Sequence, residues 1–277
     1  MPEILRYAAF TDRPDGGNPA GVVLDARGMS DAQMQQTAAD VGYSETVFVT
    51  GTDGGDTVVR YFSPLAEVDF CGHVTIALGV AHAERHGAGT LRLSTAAGPI
   101  TVETAAGTPP SATLTSVPTR TRPVADGDLA ATLDALRWPA ADLDPALPPH
   151  VAFAGNDHLM LAVSTRARLA DLDYDFAALD AVMKERGWTT VHLVWRESGT
   201  VFHARDPFPP GGVVEDAATG AAAAAFGGYL RELGEFPESG RVTIRQGEDM
   251  GRPSRLTIAL TPDTRTAVTG TAVPIPD

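Results

Sequence analysis

The chain has 277 residues, 43% apolar and 20% charged, which fits a folded globular protein with room for two domains and excludes a disordered one. Lys and Arg number 21 against 35 Asp and Glu, and the resulting net charge of −14 repels phosphate backbones and anionic lipid, so neither nucleic acid nor membrane is expected as a partner. The single cysteine, Cys71, excludes an intrachain disulfide; with no signal-peptide pattern in Met1–Arg6 and no apolar run near the roughly 18 residues of a membrane span, a reducing, cytoplasmic setting is expected.

In chain order, the first predicted element is an amphipathic helix from Met29 or Ser30 to Ala39, capped by Ser30. Strands are predicted at 46–50 and 57–62, then a helix opening at Gly72 and stopping at Gly87, then strands at 91–94 and 100–104. Residues 118–149, rich in Pro, Ala and Asp, read as an inter-lobe connection holding one short helix at 129–136. Beyond it come strands at 151–153, 159–163, 191–195, 201–204, 242–245 and 256–260, an amphipathic helix at 175–186, and a helix from Gly220 that stops at Gly234. The expected fold is α+β: two pseudo-symmetric β-rich lobes, 1–118 and 119–277, each wrapped on one central helix, with the last strand free to return to the first lobe.

The two central helices are built alike. Gly72-His73-Val74-Thr75-Ile76-Ala77-Leu78-Gly79 and Gly220-Ala221-Ala222-Ala223-Ala224-Ala225-Phe226-Gly227 both open on Gly and carry a second Gly seven residues on. Both fill the first turns with small residues and put a large apolar one before the second Gly, so other backbone can approach closely. An acidic stretch precedes each: Glu67 to Cys71, and Glu215 to Thr219. If the lobes face one another across a cleft, the amides at Gly72 and Gly220 would serve one anion, a carboxylate or oxyanion. The plain alternative is two unrelated core helices with packing glycines.

Three side chains stand out as candidates for chemistry. In Gly42-Tyr43-Ser44-Glu45-Thr46-Val47-Phe48-Val49, strand alternation puts Glu45 in phase with Tyr43, Val47 and Val49, with Ser44, Thr46 and Phe48 on the other side. An acid in phase with valines is expected to be buried with a raised pKa, as a general acid/base near neutrality requires; the alternative is a surface glutamate. His73, at a helix start that disfavours imidazolium, would stay neutral and exchange protons, or else simply cap the loop. Asp216 precedes the second helix, where an N-cap or turn acid is the ordinary role. A lone Cys71 cannot run a two-thiol racemase mechanism within one subunit and reads as a small buried filler. Of seven histidines only His82 and His86 have a metal-type spacing, at a helix end expected to face solvent. No metal and no cofactor are expected.

Taken together, Gly17 to Leu24, Ser44 to Val49, Arg60 to Pro64 with Glu67 to His73, and Phe208 to Gly212 with Glu215 to Gly220 resemble the PhzF-like phenazine-biosynthesis family, a branch of the diaminopimelate-epimerase-like fold. Gln246-Gly247 followed by Met250 to Pro253 is a weaker echo. The resemblance implies two lobes with the active site between them, no cofactor, and a homodimer acting in secondary metabolism. It implies an isomerase: the name-giving member isomerises trans-2,3-dihydro-3-hydroxyanthranilate by moving a proton with a glutamate. Glu45 matches that glutamate, His73 and Asp216 match supporting polar residues, and Gly72 and Gly220 match glycines whose amides hold the substrate carboxylate. Asn18 and Ser44 match positions on the cleft wall. The second motif departs from the usual Asp-Pro-Ala/Val-Thr-Gly-Ser, reading Asp216-Ala217-Ala218-Thr219-Gly220-Ala221. Losing the proline is expected to relax the turn, and Ala221 removes a hydroxyl from a substrate-contacting position, so the substrate need not be the phenazine precursor. An epimerase or dehydratase on the same residues, or a binding protein that has lost chemistry, are the rival readings.

Overall fold

A computed structural model of the chain describes residues 2–276. The chain divides into two compact units: Met1–Thr115 together with Thr269–Asp277, and Ser116–Val268. In the first, β1 (Leu5–Ala9) and β2 (Asn18–Val23) pair antiparallel, and α1 (Asp31–Val41) crosses to β3 (Thr46–Asp53), which lies parallel to β2. β4 (Asp56–Phe62) returns antiparallel and carries the short β5 (Glu67–Val68). After α2 (Gly72–His86), β6 (Thr90–Thr95) lies parallel to β4, and β7 (Gly98–Ala105) and β8 (Ser111–Thr115) follow antiparallel.

The second unit begins with β9 (Arg120–Pro123) and α3 (Asp126–Leu136), then repeats the same plan. β10 (His150–Phe153) and β11 (Asp157–Val163) are antiparallel, and α4 (Arg166–Ala170) and α5 (Phe176–Arg186) cross to β12 (Trp188–Arg196), parallel to β11. β13 (Val201–Phe208) returns antiparallel with β14 (Val213–Asp216) on its end. α6 (Gly220–Glu232) leads to β15 (Val242–Gln246), parallel to β13, and to antiparallel β16 (Ser254–Leu260). The chain ends on β17 (Thr266–Pro274), which pairs with β1 through Ala272–Pro274 and with β8, closing the first unit's sheet.

Both central helices are buried on every side, α2 from His73 to Ala81 and α6 from Ala222 to Leu230, as the small-residue runs require. Their second glycines are close-approach sites. A Cβ at Gly79 would sit 2.9 Å from Val102 of β7, and one at Gly227 would sit 2.7 Å from Ile258 of β16. α1 is fixed by a capping box: Ser30 Oγ accepts from the Gln33 amide while Gln33 Oε1 accepts from the Ser30 amide.

Every strand predicted from the pattern is present, extended by one to four residues at one or both ends. Seven strands went unpredicted: β1, β2, β5, β8, β9, β14 and β17. β9 lies inside the stretch read as a connection, and α3 begins three residues earlier than predicted. β17 alternates buried and open positions strictly, but its buried side carries Thr, Val, Gly and Ala, so its hydropathy alternation is faint. β2 opens Asn-Pro and contains Gly21, which reads as a turn. Among the described residues no helix is long and apolar enough to cross a membrane.

Candidate active site

In the first unit α1 stops at Gly42, whose φ of +71° suits glycine, and the chain bends through Tyr43, Ser44 and Glu45 before β3 begins at Thr46. The sequence-based strand phase of Glu45 is therefore corrected: Glu45 lies in the bend ahead of the strand and does not share a pleat face with Tyr43. Its backbone is still pinned, because the Gly21 amide donates to the Glu45 carbonyl at 3.3 Å. Gly21 is what permits that approach, since a Cβ there would lie 2.4 Å from Thr46 Oγ1. The side chain of Glu45 is half-buried, 18% exposed.

The start of α2 comes to this glutamate. Cys71 occupies the N-cap in extended conformation and makes no side-chain capping bond. Its carbonyl accepts from the Thr75 amide (3.1 Å) and from Thr75 Oγ1 (2.7 Å), and Tyr61 Oη bonds the same hydroxyl at 2.8 Å. The first turn holds no acid. The amides of Gly72, His73 and Val74 thus have no intrahelical acceptor and face the positive end of the helix dipole.

Four side chains meet there. Cys71 Sγ lies 3.4 Å from Glu45 Oε2 and 3.2 Å from His73 Nδ1. His73 Nε2 lies 3.6 Å from Glu45 Oε2 and 3.3 Å from Ser44 Oγ. His73 is buried, 5% exposed, and that burial lowers its pKa, partly opposed by the Glu45 carboxylate and by a bond to the Pro19 carbonyl. The Pro19 bond also ties the Asn18-Pro19 segment to the site; Asn18 itself is buried at the start of β2. The ligand-type atoms of Glu45, Cys71 and His73 all lie within 4.8 Å of one another.

Asp216, Gly220 and Ala221 form a separate group in the second unit. α6 also begins without a side-chain cap or a first-turn acid. Asp216 does not cap the helix: its Oδ2 accepts from Thr219 Oγ1 at 2.6 Å. Fully buried Gln246 completes the knot, its Oε1 accepting from the Thr219 amide at 3.1 Å. Its Nε2 donates to the Asp216 carbonyl at 2.8 Å and to Thr219 Oγ1 at 3.0 Å. The turn that lacks the family's proline is tied at these points.

Two residues differ from, or escape, the reading of the sequence. Cys71, expected to be a small buried filler, is half-buried and touches both Glu45 and His73; the pattern that carries it is the Cys-x-His spacing across a helix start. Gln246 was noticed only as part of a weak echo, because one buried amide side chain leaves no periodic trace.

Sequence comparison places the molecule. The profile of the phenazine biosynthesis-like protein family matches residues 7–277, so the chain belongs to that family. It is 32% identical over 285 residues to an uncharacterized isomerase, YddE, of Escherichia coli K12, covering 98% of this chain and 96% of that protein. It is 33% identical over 256 residues to trans-2,3-dihydro-3-hydroxyanthranilate isomerase of Pseudomonas chlororaphis, covering 89% and 86%. The crystal structure of a Bacillus anthracis phenazine biosynthesis protein of the PhzF family superposes with a TM-score of 0.88 at 26% identity, covering 99% and 96%.

Proposed function

We propose that this chain is an isomerase that moves a proton on a small carboxylated, cyclic amino-acid-like substrate, with Glu45 as the acid/base and no cofactor. The observation that carries the reading is Glu45 held beside His73 and Cys71 at the uncapped start of α2. Isomerase activity is what the named relatives share, and one of them acts on trans-2,3-dihydro-3-hydroxyanthranilate.

In the reaction, the Glu45 carboxylate removes a carbon-bound proton and the electron pair moves into the conjugated system of the substrate. The protonated Glu45 then returns that proton to a different carbon, so nothing is oxidised or reduced. Neutral His73, its one ring N–H committed to the Pro19 carbonyl, holds Glu45 and Cys71 in place, and the Gly72 and His73 amides hold the substrate's carboxylate. Cys71, donating to Glu45 Oε2, orients the carboxylate. In the second unit, the Gly220 amide lies at an uncapped helix start four residues after Asp216, and Ala221 offers no hydroxyl where a serine would.

The test is turnover of trans-2,3-dihydro-3-hydroxyanthranilate and a panel of cyclic amino acids in D₂O, read by mass spectrometry and NMR. Deuterium at the carbon that gains hydrogen, or intramolecular return of the original hydrogen to that carbon, is expected from the wild type. Saturable binding across the panel with no conversion would overturn the reading in favour of a binding protein.

A further inference from the structure

We propose that Glu45, Cys71 and His73 also form a binding site for a zinc-type divalent cation, and that occupancy shuts off proton transfer. Tetrahedral zinc with one S, one N and one O ligand has bond lengths of about 2.0–2.3 Å, which set ligand-to-ligand edges of roughly 3.3–3.7 Å. Here the Sγ···Oε2 separation is 3.4 Å and the Sγ···Nδ1 separation 3.2 Å, with all three ligand atoms within 4.8 Å. Two of the three edges are thus already at metal-holding length; Glu45 Oε2 meets the ring on its other nitrogen, Nε2, at 3.6 Å, so seating an ion on Nδ1 asks for a turn of one side chain. Cys71 and His73 come from one helix start and Glu45 from a pinned bend, so little ordering remains to be done on binding.

The donor set suits a borderline-soft cation rather than Mg²⁺ or Ca²⁺, which favour oxygen alone. The remaining contacts of His73 resemble an outer shell: Ser44 Oγ lies beside Nε2, and the ring bonds the Pro19 carbonyl, the kind of partner that fixes a ligating imidazole. The helix end opposes a cation with about half a positive charge, but the thiolate and carboxylate bring two full negative charges into direct contact, so attraction wins. Glu45 keeps some exposure, which gives the ion a way in and leaves the fourth position to water. An ion seated there removes the Glu45 lone pair from proton abstraction. The binding claim stands on geometry alone; the inhibition claim rests on the isomerase reading.

The experiment uses the full chain under a non-thiol reductant. Co²⁺ is titrated while the near-ultraviolet thiolate-to-cobalt charge-transfer band is followed, and Zn²⁺ is titrated by calorimetry. One tight site is expected, with the band present. Cys71→Ser and His73→Gln, each checked for folding by circular dichroism, should weaken Zn²⁺ by more than the roughly 10–100-fold that a lost outer-shell partner costs. The only rival pair picked out by sequence spacing is His82 with His86, whose rings lie 4.5 Å apart, so His86→Ala should leave the tight site in place. Absence of the band, unchanged affinity in Cys71→Ser, or loss of binding in His86→Ala would each overturn the site. Full turnover at saturating Zn²⁺ with the band present would overturn inhibition. A bound metal in a protein that converts no substrate would refute the isomerase reading while supporting the site.

Discussion

The two units share one strand plan and differ in what they place on it. In the first, Val47 lies opposite Tyr61 and Tyr61 opposite Val68, four residues ahead of Gly72. In the second, Asp206 lies opposite Asp216, four residues ahead of Gly220, and the register of β12 on β13 brings His192 to the position of Val47. Counting from these anchors, Glu45 matches Thr190, Cys71 matches Thr219 and His73 matches Ala221. Each position that is titratable in the first unit carries a hydroxyl or a methyl in the second. The second unit keeps the uncapped helix start, and its acid, Asp216, stands where the first unit has Val68. The repeat has diverged at these positions: the first half carries the titratable cluster, and the second fills the matching places with hydroxyl and methyl groups.

That divergence is most sharply tested at the first matched pair. Glu45→Gln should lower kcat by about 10²–10⁴-fold with Tm little changed, since it removes general acid/base catalysis and keeps the shape. Thr190→Val at the matching position should do the reverse. Thr190 Oγ1 donates to Asp206 and contacts His158, so its loss should cost about 1–3 kcal/mol of stability while kcat stays within tenfold. Comparable losses of kcat in both variants would break the comparison.

A smaller effect is expected at Gln246, which has the second unit's helix start in its grip. Gln246→Leu removes the bonds to the Thr219 amide and the Asp216 carbonyl, and should destabilise by about 2 kcal/mol. If the role is positioning, KM should rise more than kcat falls, and Gln246→Glu should recover part of the loss because it keeps the acceptor for the Thr219 amide. Equal recovery by Leu and Glu would leave Gln246 with a packing role only.

How much of this was legible in the sequence follows from what leaves a pattern. The two small-residue helices, the ten strands with a clear hydropathy pattern and the Ser30 cap are written in periodicity and capping chemistry, and the chain shows them where expected. Glu45 could be singled out by its motif but not placed, because strand phase was extended three residues ahead of the point where β3 begins. Cys71 and Glu45 are far apart along the chain and meet only because Gly21 lets β2 and the bend come close. Gln246 lies still further from Asp216 in sequence. Non-local polar contacts of this kind follow from register, which a single sequence states only faintly.

The second unit also holds a buried polar chain, and its pH response follows from the bonding. Thr190 Oγ1 gives its proton to Asp206 Oδ1 at 2.9 Å, so at the 2.8 Å contact between them His158 Nδ1 must be the donor. His192 Nδ1 lies 2.9 Å from Asp206 Oδ2, and His158 Nε2 has no hydrogen-bond partner among the described residues. A second proton on His158 would therefore be buried and unshared, and burial, aided by the neighbouring His192, pushes its pKa down from 6.5 to about 3. Between those two values the unfolded chain binds a proton that the folded chain refuses. Stability is then level above about pH 6.5 and falls as pH drops toward about 3, by roughly 1.4 kcal/mol per pH unit for this one group. Urea unfolding midpoints at pH 7, 6, 5 and 4 measure the slope. His158→Gln should reduce it by about one proton between pH 6 and 4 even if it lowers stability at pH 7. An unchanged slope in that variant would mean that other groups set the acid limit of the second unit.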